Sequence, residues 1–297
     1  MENLVGQLAA LCAAGFWAVA TLLYHRAGHH FSPVQLNLVK GVIATPLLLL
    51  FAYFGGSALV AFDNTPGVLL LISGVIGITI GDSCYFAALR RLGPWYAMLL
   101  EYLAPPLAAA LAWIALGDTL GPWQLIGSTV TLMGVLTVVI EKPNGERQRL
   151  SLSGVLFGIS AAACQAVGLV MSFHALQSFE VSAANAALLR LFAGTAALSI
   201  MIIAWRPRLL PETLHAFRKV SVLPLLLAVI FGTFLAIWLQ QQAIARINPG
   251  LAQTLLATAP LFMLPIAWWQ QQTPSLRSIS GAIIALAGIG LLFLTPS

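Results

Sequence analysis

Four ionisable side chains stand inside long apolar runs of the chain: Lys40, Asp82, Glu101 and Arg190. A charge held in an apolar medium costs several kcal/mol unless it is paired or wetted, so each marks a candidate polar site. At 1.5 Å per helical residue, Lys40 lies about 10 Å into its run and Glu101 about 10 Å beyond Pro94. Asp82 lies about 12 Å before Arg90 on the same scale. All three depths count from one face, so Lys40, Asp82 and Glu101 share a level. Arg190 enters from the opposite face, and the position that corresponds to Glu101 in that half is Leu256.

Lys40 and Arg190 have the chemistry to bind a carboxylate or phosphate, or to gate by exchanging partners. Asp82 or Glu101 has the chemistry to carry a coupling proton. Two quieter roles compete: the basic groups stretch to lipid headgroups, and the carboxylates serve as fixed partners of Lys40. Trp17 and Tyr85 lie deep in their runs and are candidate wall residues, as are Gln165, which roughly matches Trp17, and Gln240. Gln240, Gln241 and Gln242 turn about 100° per residue, so they cannot all face outward. The competing role for such amides is an interhelical hydrogen bond, worth about 0.6 kcal/mol. Pro105 and Pro260 fall mid-run at matching places and predict paired kinks suited to a gate, or to a fixed bend.

Signatures of catalysis are missing. There is no H-E-x-x-H and no G-x-S-x-G, and Thr79 replaces the first glycine of a G-x-G-D aspartyl site before Ile80-Gly81-Asp82. His25, His29 and His30 have no Cys or carboxylate beside them, so no metal is expected. No P-loop and no cofactor motif are present. Cys12, Cys84 and Cys164 each lie in an apolar run, which predicts buried free thiols rather than disulfides.

The elements that must position these groups follow from composition. Of 297 residues, 60% are hydrophobic and 8% charged, against about 25% charged in a soluble domain. Soluble enzymes, nucleic-acid binders and disordered scaffolds are excluded, and the formal charge of +5 is expected to face anionic lipid. A bilayer core needs roughly 20 apolar residues per helix. Ten runs meet that need, near 4–24, 34–54, 67–89, 94–115, 121–140, 152–172, 183–204, 221–244, 249–270 and 276–294. The runs are continuous and do not alternate, which excludes barrel strands. Met1-Glu2-Asn3 carries no basic cluster, so the first run is expected to be a retained helix rather than a signal peptide.

Ser32-Pro33, Gly93-Pro94, Gly121-Pro122 and Asn248-Pro249-Gly250 punctuate the runs. The polar stretch from Glu141 to Arg149 reads as a linker between halves. Eleven of the 14 basic residues fall in odd-numbered loops, among them Arg26, Arg90, Arg91 and Arg206 to Lys219, and only Arg246 falls in an even one. Positive charge gathers on the cytoplasmic side, which predicts both termini outside.

The two halves resemble each other. Lys40 to Thr45 (KGVIAT) lies over Arg190 to Thr195 (RLFAGT), and Tyr85 to Pro94 (YFAALRRLGP) over Gln240 to Pro249 (QQQAIARINP). Pro105 falls on Pro260, Trp113 on Trp268, Gly127 on Gly281 and Gly134 on Gly288, at an offset near 150 throughout. Five runs per copy is an odd number, so the second copy must sit upside down. The predicted fold is an all-α membrane protein of ten transmembrane helices in two inverted five-helix repeats, residues 1–140 and 152–295.

Two stretches carry a resemblance to a known family. LEYLAPPLAAALAWIALGDTLGPWQLIGSTVTLMGVLTVV (Leu100 to Val139) and LATAPLFMLPIAWWQQQTPSLRSISGAIIALAGIGLLFL (Leu256 to Leu294) resemble the closing segment of an EamA repeat of the drug/metabolite transporter superfamily. Trp17 after Gly15, and the Lys40 and Arg190 positions, fit the same pattern. The resemblance implies a ten-helix secondary transporter in which helices one to four and six to nine surround a central cavity, with the fifth and tenth peripheral. The acidic residue usual after the fourth and ninth helices is Asp118 in the first copy, but Gln272 stands in the second. The loop between helices two and three has Asp63 and none of the usual basic residues.

The expectation is a multi-pass carrier of a small metabolite, amino acid or drug-like solute in a bacterial-type plasma (inner) membrane. It would work by alternating access with proton coupling or exchange, and the resemblance favours export. Its partners would be the solute, the bilayer and a proton, as monomer or homodimer. The alternative is an intramembrane enzyme acting on a lipid or peptide.

Overall fold

The structure is a computed structural model that describes residues 2–55, 65–116, 122–139, 151–178, 181–247, 252, 255–269 and 275–292. All regular structure among the described residues is helical. Helix α1 spans Glu2–Ala27 and α2 spans Pro33–Phe54. Ser32 caps α2 by accepting from the Gln35 backbone N–H at 3.3 Å, and the Gln35 side chain accepts in return from the Ser32 N–H at 2.8 Å. This reciprocal pair satisfies two free donors of the first turn, and Pro33 sits where its missing N–H costs nothing. Ser182 caps α8 (Ala183–Trp205), likewise accepting from the Asn185 N–H at 3.3 Å.

Helices α3 (Thr65–Gly74) and α4 (Ser83–Leu100) are joined by a π-helical stretch, Val75–Asp82. A three-residue 3₁₀ turn, Glu101–Leu103, then leads to α5 (Ala104–Leu116). The apolar stretch Thr65–Ala108 has 44 residues, about 66 Å if straight, twice a bilayer core. Gly93 divides it, at φ 79°, a left-handed conformation that an L side chain resists. Helices α6 (Pro122–Val139) and α7 (Leu152–Ser178) follow. Beyond α8 come α9 (Leu209–Phe217) and α10 (Val222–Val229), a second π-helical stretch (Ile230–Leu235), α11 (Ala236–Arg246), α12 (Ala259–Trp269) and α13 (Leu276–Leu292).

Six described stretches are long and apolar enough to cross a membrane: Leu4–Ala27, Pro33–Phe54, Thr65–Ala108, Leu152–Leu176, Ala183–Trp205 and Val222–Arg246. Leu125–Thr137 and Ile279–Leu291 are shorter apolar helices. The chain is thus a multi-pass membrane protein, helical in its described regular structure. The linker 141–149, Asp63, Asp118, Gln272 and the Asn248-Pro249-Gly250 turn lie outside the described residues.

Three expectations are corrected. The connection from Arg206 to Lys219 holds a helix, α9, because Leu209, Leu210, Thr213 and Phe217 recur at helical spacing. Cys12 is exposed on the outside of α1 rather than buried. Tyr24 at the end of the first run is fully buried, and its hydroxyl pairs with Thr233 Oγ1 at 2.6 Å. Pro105 and Pro260 do not kink continuous helices; each is the second residue of a fresh one, α5 and α12.

Packing follows small residues, which let backbones approach in a medium that gives little hydrophobic drive. α1 packs along α11, α7 along α4, α2 along α8 and α6 along α13. A Cβ on Gly134 would stand 2.6 Å from the Gly281 carbonyl, and one on Gly288 would stand 2.6 Å from Thr131 Oγ1. Thr131 itself donates to the Gly127 carbonyl at 2.8 Å.

Gly288→Leu is therefore expected to force α6 and α13 apart and to cost about 1–3 kcal/mol. Gly290, on another face of α13, has nothing within 4 Å of where a Cβ would stand, so Gly290→Leu should stay within about 0.5 kcal/mol. Thermal unfolding of both variants in detergent measures the contrast, and equal midpoints would refute the close approach.

Candidate functional site

A cavity with about 110 Å³ of room for water centres lies among the helices. A single water needs roughly 10–15 Å³ of such room, so several fit where polar groups are present. Nine of the ten residues singled out from the sequence line it: Trp17, Lys40, Asp82, Glu101, Pro105, Gln165, Arg190, Gln240 and Pro260. They come from both halves of the chain. Ala14, Ile78, Met98, Tyr102, Gly232 and Leu256 supply apolar wall between them.

Tyr85 is the exception. It is buried behind the wall, with its ring 5.2 Å from that of Trp17 and its hydroxyl 2.8 Å from Thr21 Oγ1. It buttresses a cavity residue instead of being one, because the face of α4 that carries it turns toward α1.

Lys40 is 1% exposed, and its ammonium pairs with Asp82 Oδ2 while lying 5.4 Å above the Phe86 ring. The shared level inferred from helical rise is thus occupied by a real ion pair. Asp82 is 18% exposed and is the face of that pair nearest water. Removing one partner of a buried pair leaves the other charge uncompensated, at a cost of about 3–5 kcal/mol.

Glu101 sits in the 3₁₀ turn. Pro105 has no N–H, so it cannot donate to the Glu101 carbonyl four residues back; Ala104 donates instead, tightening the turn. The side chain accepts from Trp17 Nε1 at 3.1 Å through Oε2. A similar tightening precedes Pro260 in the second half of the chain. The Leu255 carbonyl there receives both the Thr258 N–H at 3.1 Å and Thr258 Oγ1 at 2.6 Å.

Arg190 is 2% exposed, and its Nε and Nη1 have no hydrogen-bond partner among the described residues. Glycines make the room for it. A Cβ on Gly77 would stand 3.2 Å from Nη2, and one on Gly168 would stand 3.4 Å from it. A Cβ on Gly74 would collide with the Arg190 backbone, so α3 crosses α8 there at closest approach.

Sequence reasoning misses several supports. Asn37 turns to the backbone; its Nδ2 donates to the Ile78 carbonyl at 2.8 Å and to Ser83 Oγ at 2.9 Å, bracing the π-helical stretch. Thr79 Oγ1 donates to the Gly194 carbonyl at 2.7 Å and Ser73 Oγ to the Gly168 carbonyl at 2.6 Å. Gln241 is not among them: it takes the interhelical role open to the three glutamines, buried and accepting from Ser172 Oγ at 2.9 Å. The spacing Gly74, Gly77, Gly81 puts three glycines on one helical face and is a legible signal of this close crossing. No group of three metal-ligating side chains gathers among the described residues.

Known proteins agree with this architecture. The model of the EamA-like transporter family matches residues 4–140 and 152–294. The uncharacterized transporter YdfC of Bacillus subtilis is 22% identical over 94% of this chain and 88% of its own length. An uncharacterized transporter of Archaeoglobus fulgidus is 25% identical over 100% of this chain and 99% of its own. A WAT1-related protein of Arabidopsis thaliana is 29% identical over 43% of this chain and 35% of its own. A solved crystal structure, 18% identical, superposes with a TM-score of 0.66 over 97% of this chain and 96% of its own, which shows a common fold. With charges on apolar helices lining its cavity, and the family match covering nearly all of its length, the chain belongs to the EamA-like transporter family, within the drug/metabolite transporter superfamily.

Proposed function

We propose that the chain is a secondary-active exporter of a small metabolite in the plasma (inner) membrane, built as two inverted five-helix repeats around the central cavity. The observation that carries this reading is one cavity lined by charged groups from both halves, Lys40, Asp82 and Glu101 from the first and Arg190 from the second.

Reciprocal contacts support the inverted repeat. Gly6 on α1 would touch Arg246 and Ile247 through a Cβ, and Gly154 on α7 would touch Arg91 and Leu92. Arg91 and Leu92 correspond to Arg246 and Ile247 in the sequence match. Gly134 meets Gly281 while Gly288 meets Gly127, again a pair and its exchange. The two π-helical stretches, the two capping serines and the two helix-starting prolines also fall at matching places. Such reciprocity is what a two-fold relation between copies produces. Five helices per copy place its axis in the membrane plane.

In this reading, the cavity opens alternately to either side as the copies exchange conformations, hinging where the helices break beside Pro105 and Pro260. Glu101, held by Trp17 and facing the cavity, carries the coupling proton. The basic loops lie in the cytoplasm and both termini outside.

Reconstitution into liposomes tests this. An imposed pH gradient should drive uphill accumulation of a solute found in a metabolite panel, with no chemical change in it. Glu101→Gln should abolish that accumulation while expression and exchange persist; unchanged proton-driven uptake would reject the coupling role. Turnover of a lipid or peptide in detergent would instead indicate an enzyme.

A further inference from the structure

We propose that the slot around Arg190 is a receptor for a compact oxyanion, so that the transported solute carries a carboxylate or phosphate group. This inference rests on the carrier reading and narrows its substrate class.

The two basic side chains of the cavity differ in their partners. Lys40 is committed to Asp82 and covered by Phe86. Its charge is met without a ligand. Arg190 makes no ion pair among the described residues, and two of its three guanidinium nitrogens have no hydrogen-bond partner there. It is also 2% exposed, so bulk water does not bathe it. A planar guanidinium offers parallel N–H donors that match the two oxygens of a carboxylate or phosphate, which a point-charge ammonium does not.

The surroundings fix the guanidinium in place. Gly77 and Gly168 both border Nη2; a methyl group at 77 would press on it, and one at 168 would come into contact with it. Gln165 lines the cavity beside it, with Oε1 3.8 Å from the position of a Cβ on Gly77. Glu101 is held apart by Trp17 and does not reach Arg190 within ion-pair distance. Asp82 lies near enough to act on the Arg190 charge but makes no ion pair or hydrogen bond with it. A small cavity with one cation whose donors are unmet selects a solute whose anionic head is narrow and whose body is accepted by the apolar wall at Ile78, Met98 and Leu256.

The test uses the purified full chain in detergent at constant ionic strength. Its thermal midpoint is followed against propionate, inorganic phosphate and propionamide. A ligand that binds only the folded state raises the midpoint saturably. Propionate or phosphate should do so and propionamide, of the same shape but neutral, should not. A response to propionate alone assigns a carboxylate, a response to phosphate alone a phosphoryl group, and both together a general oxyanion site. Arg190→Gln should weaken that response about 30-fold or more. Should it fail to fold, Arg190→Lys and Gly77→Ala serve: each should keep the fold and weaken the oxyanion response more than any propionamide response. Equal effects of propionate and propionamide, no effect of either oxyanion, or an oxyanion response that survives Arg190→Gln would overturn the proposal. Liposome flux separates it from the carrier reading. Oxyanion binding lost with Arg190, in a protein that moves no solute, would leave the receptor standing and sink the carrier. Flux indifferent to solute charge would do the reverse.

Discussion

A charge in hydrocarbon must find a counter-charge, a dipole or water, and the interior of this molecule is arranged around that requirement. Lys40 meets it with Asp82 and the face of Phe86. Glu101 meets it in part with the Trp17 indole. Arg190 meets it with the cavity. Without the cavity the guanidinium would be an uncompensated charge in the middle of the fold. A side chain at Gly74 would displace the Arg190 backbone, and one at Gly77 would push on the guanidinium itself. Packing and site are therefore one problem: the close helix crossings that small residues permit are what bring α3, α7 and α8 near enough to enclose a polar hollow.

The second consequence concerns the backbone. Helices that border a polar hollow can depart from α geometry there, because freed backbone groups have partners. The departures gather at the cavity. Val75–Asp82 and Ile230–Leu235 are π-helical, Glu101–Leu103 is 3₁₀, and α5 and α12 each restart at a proline. The loosened carbonyls are caught by side chains, as Asn37 catches Ile78 and Thr258 catches Leu255. Broken helices beside a polar hollow expose backbone groups to it and are points where a helix can bend with little loss of hydrogen bonding. The matching order of breaks in the two halves is the structural form of the weak internal likeness in the sequence.

Much of this is legible in the sequence, for reasons that differ by feature. Helix positions follow from apolar runs long enough to span a bilayer, and two of the ends follow from Ser32-Pro33 and Gly93-Pro94, whose chemistry is local. The convergence of Lys40, Asp82 and Glu101 follows from rise per residue alone. Tyr85 escapes that reasoning because depth along a helix says nothing of which way its face turns. The prolines suggest bent helices, yet each begins one, since the loss of an N–H can equally be met by starting afresh one residue earlier. Helix α9 carries no bilayer-length signal, because its nine residues mix polar and apolar side chains. The π-helical stretches leave no trace in composition. The first of them answers to Asn37 and to the crossing of Gly74 and Ile78 with Gly194, of which the sequence shows only the glycine spacing.

A carrier of this design requires its two copies to run in opposite senses through the lipid. Arg91 and Arg246 correspond in the sequence match, and each donates to the carbonyl four residues back, at 3.0 Å to Ala87 and 3.3 Å to Gln242. With Cys12, Cys84 and Cys164 replaced by serine, a single cysteine at 91 or at 246 is treated with a membrane-impermeant maleimide in intact cells, and again after permeabilisation. Opposite outcomes are expected: the cysteine at 246 labels from outside, and the one at 91 only once the membrane is opened. Labelling of both from the same side would contradict the inverted arrangement and, with it, the cavity's role in alternating access.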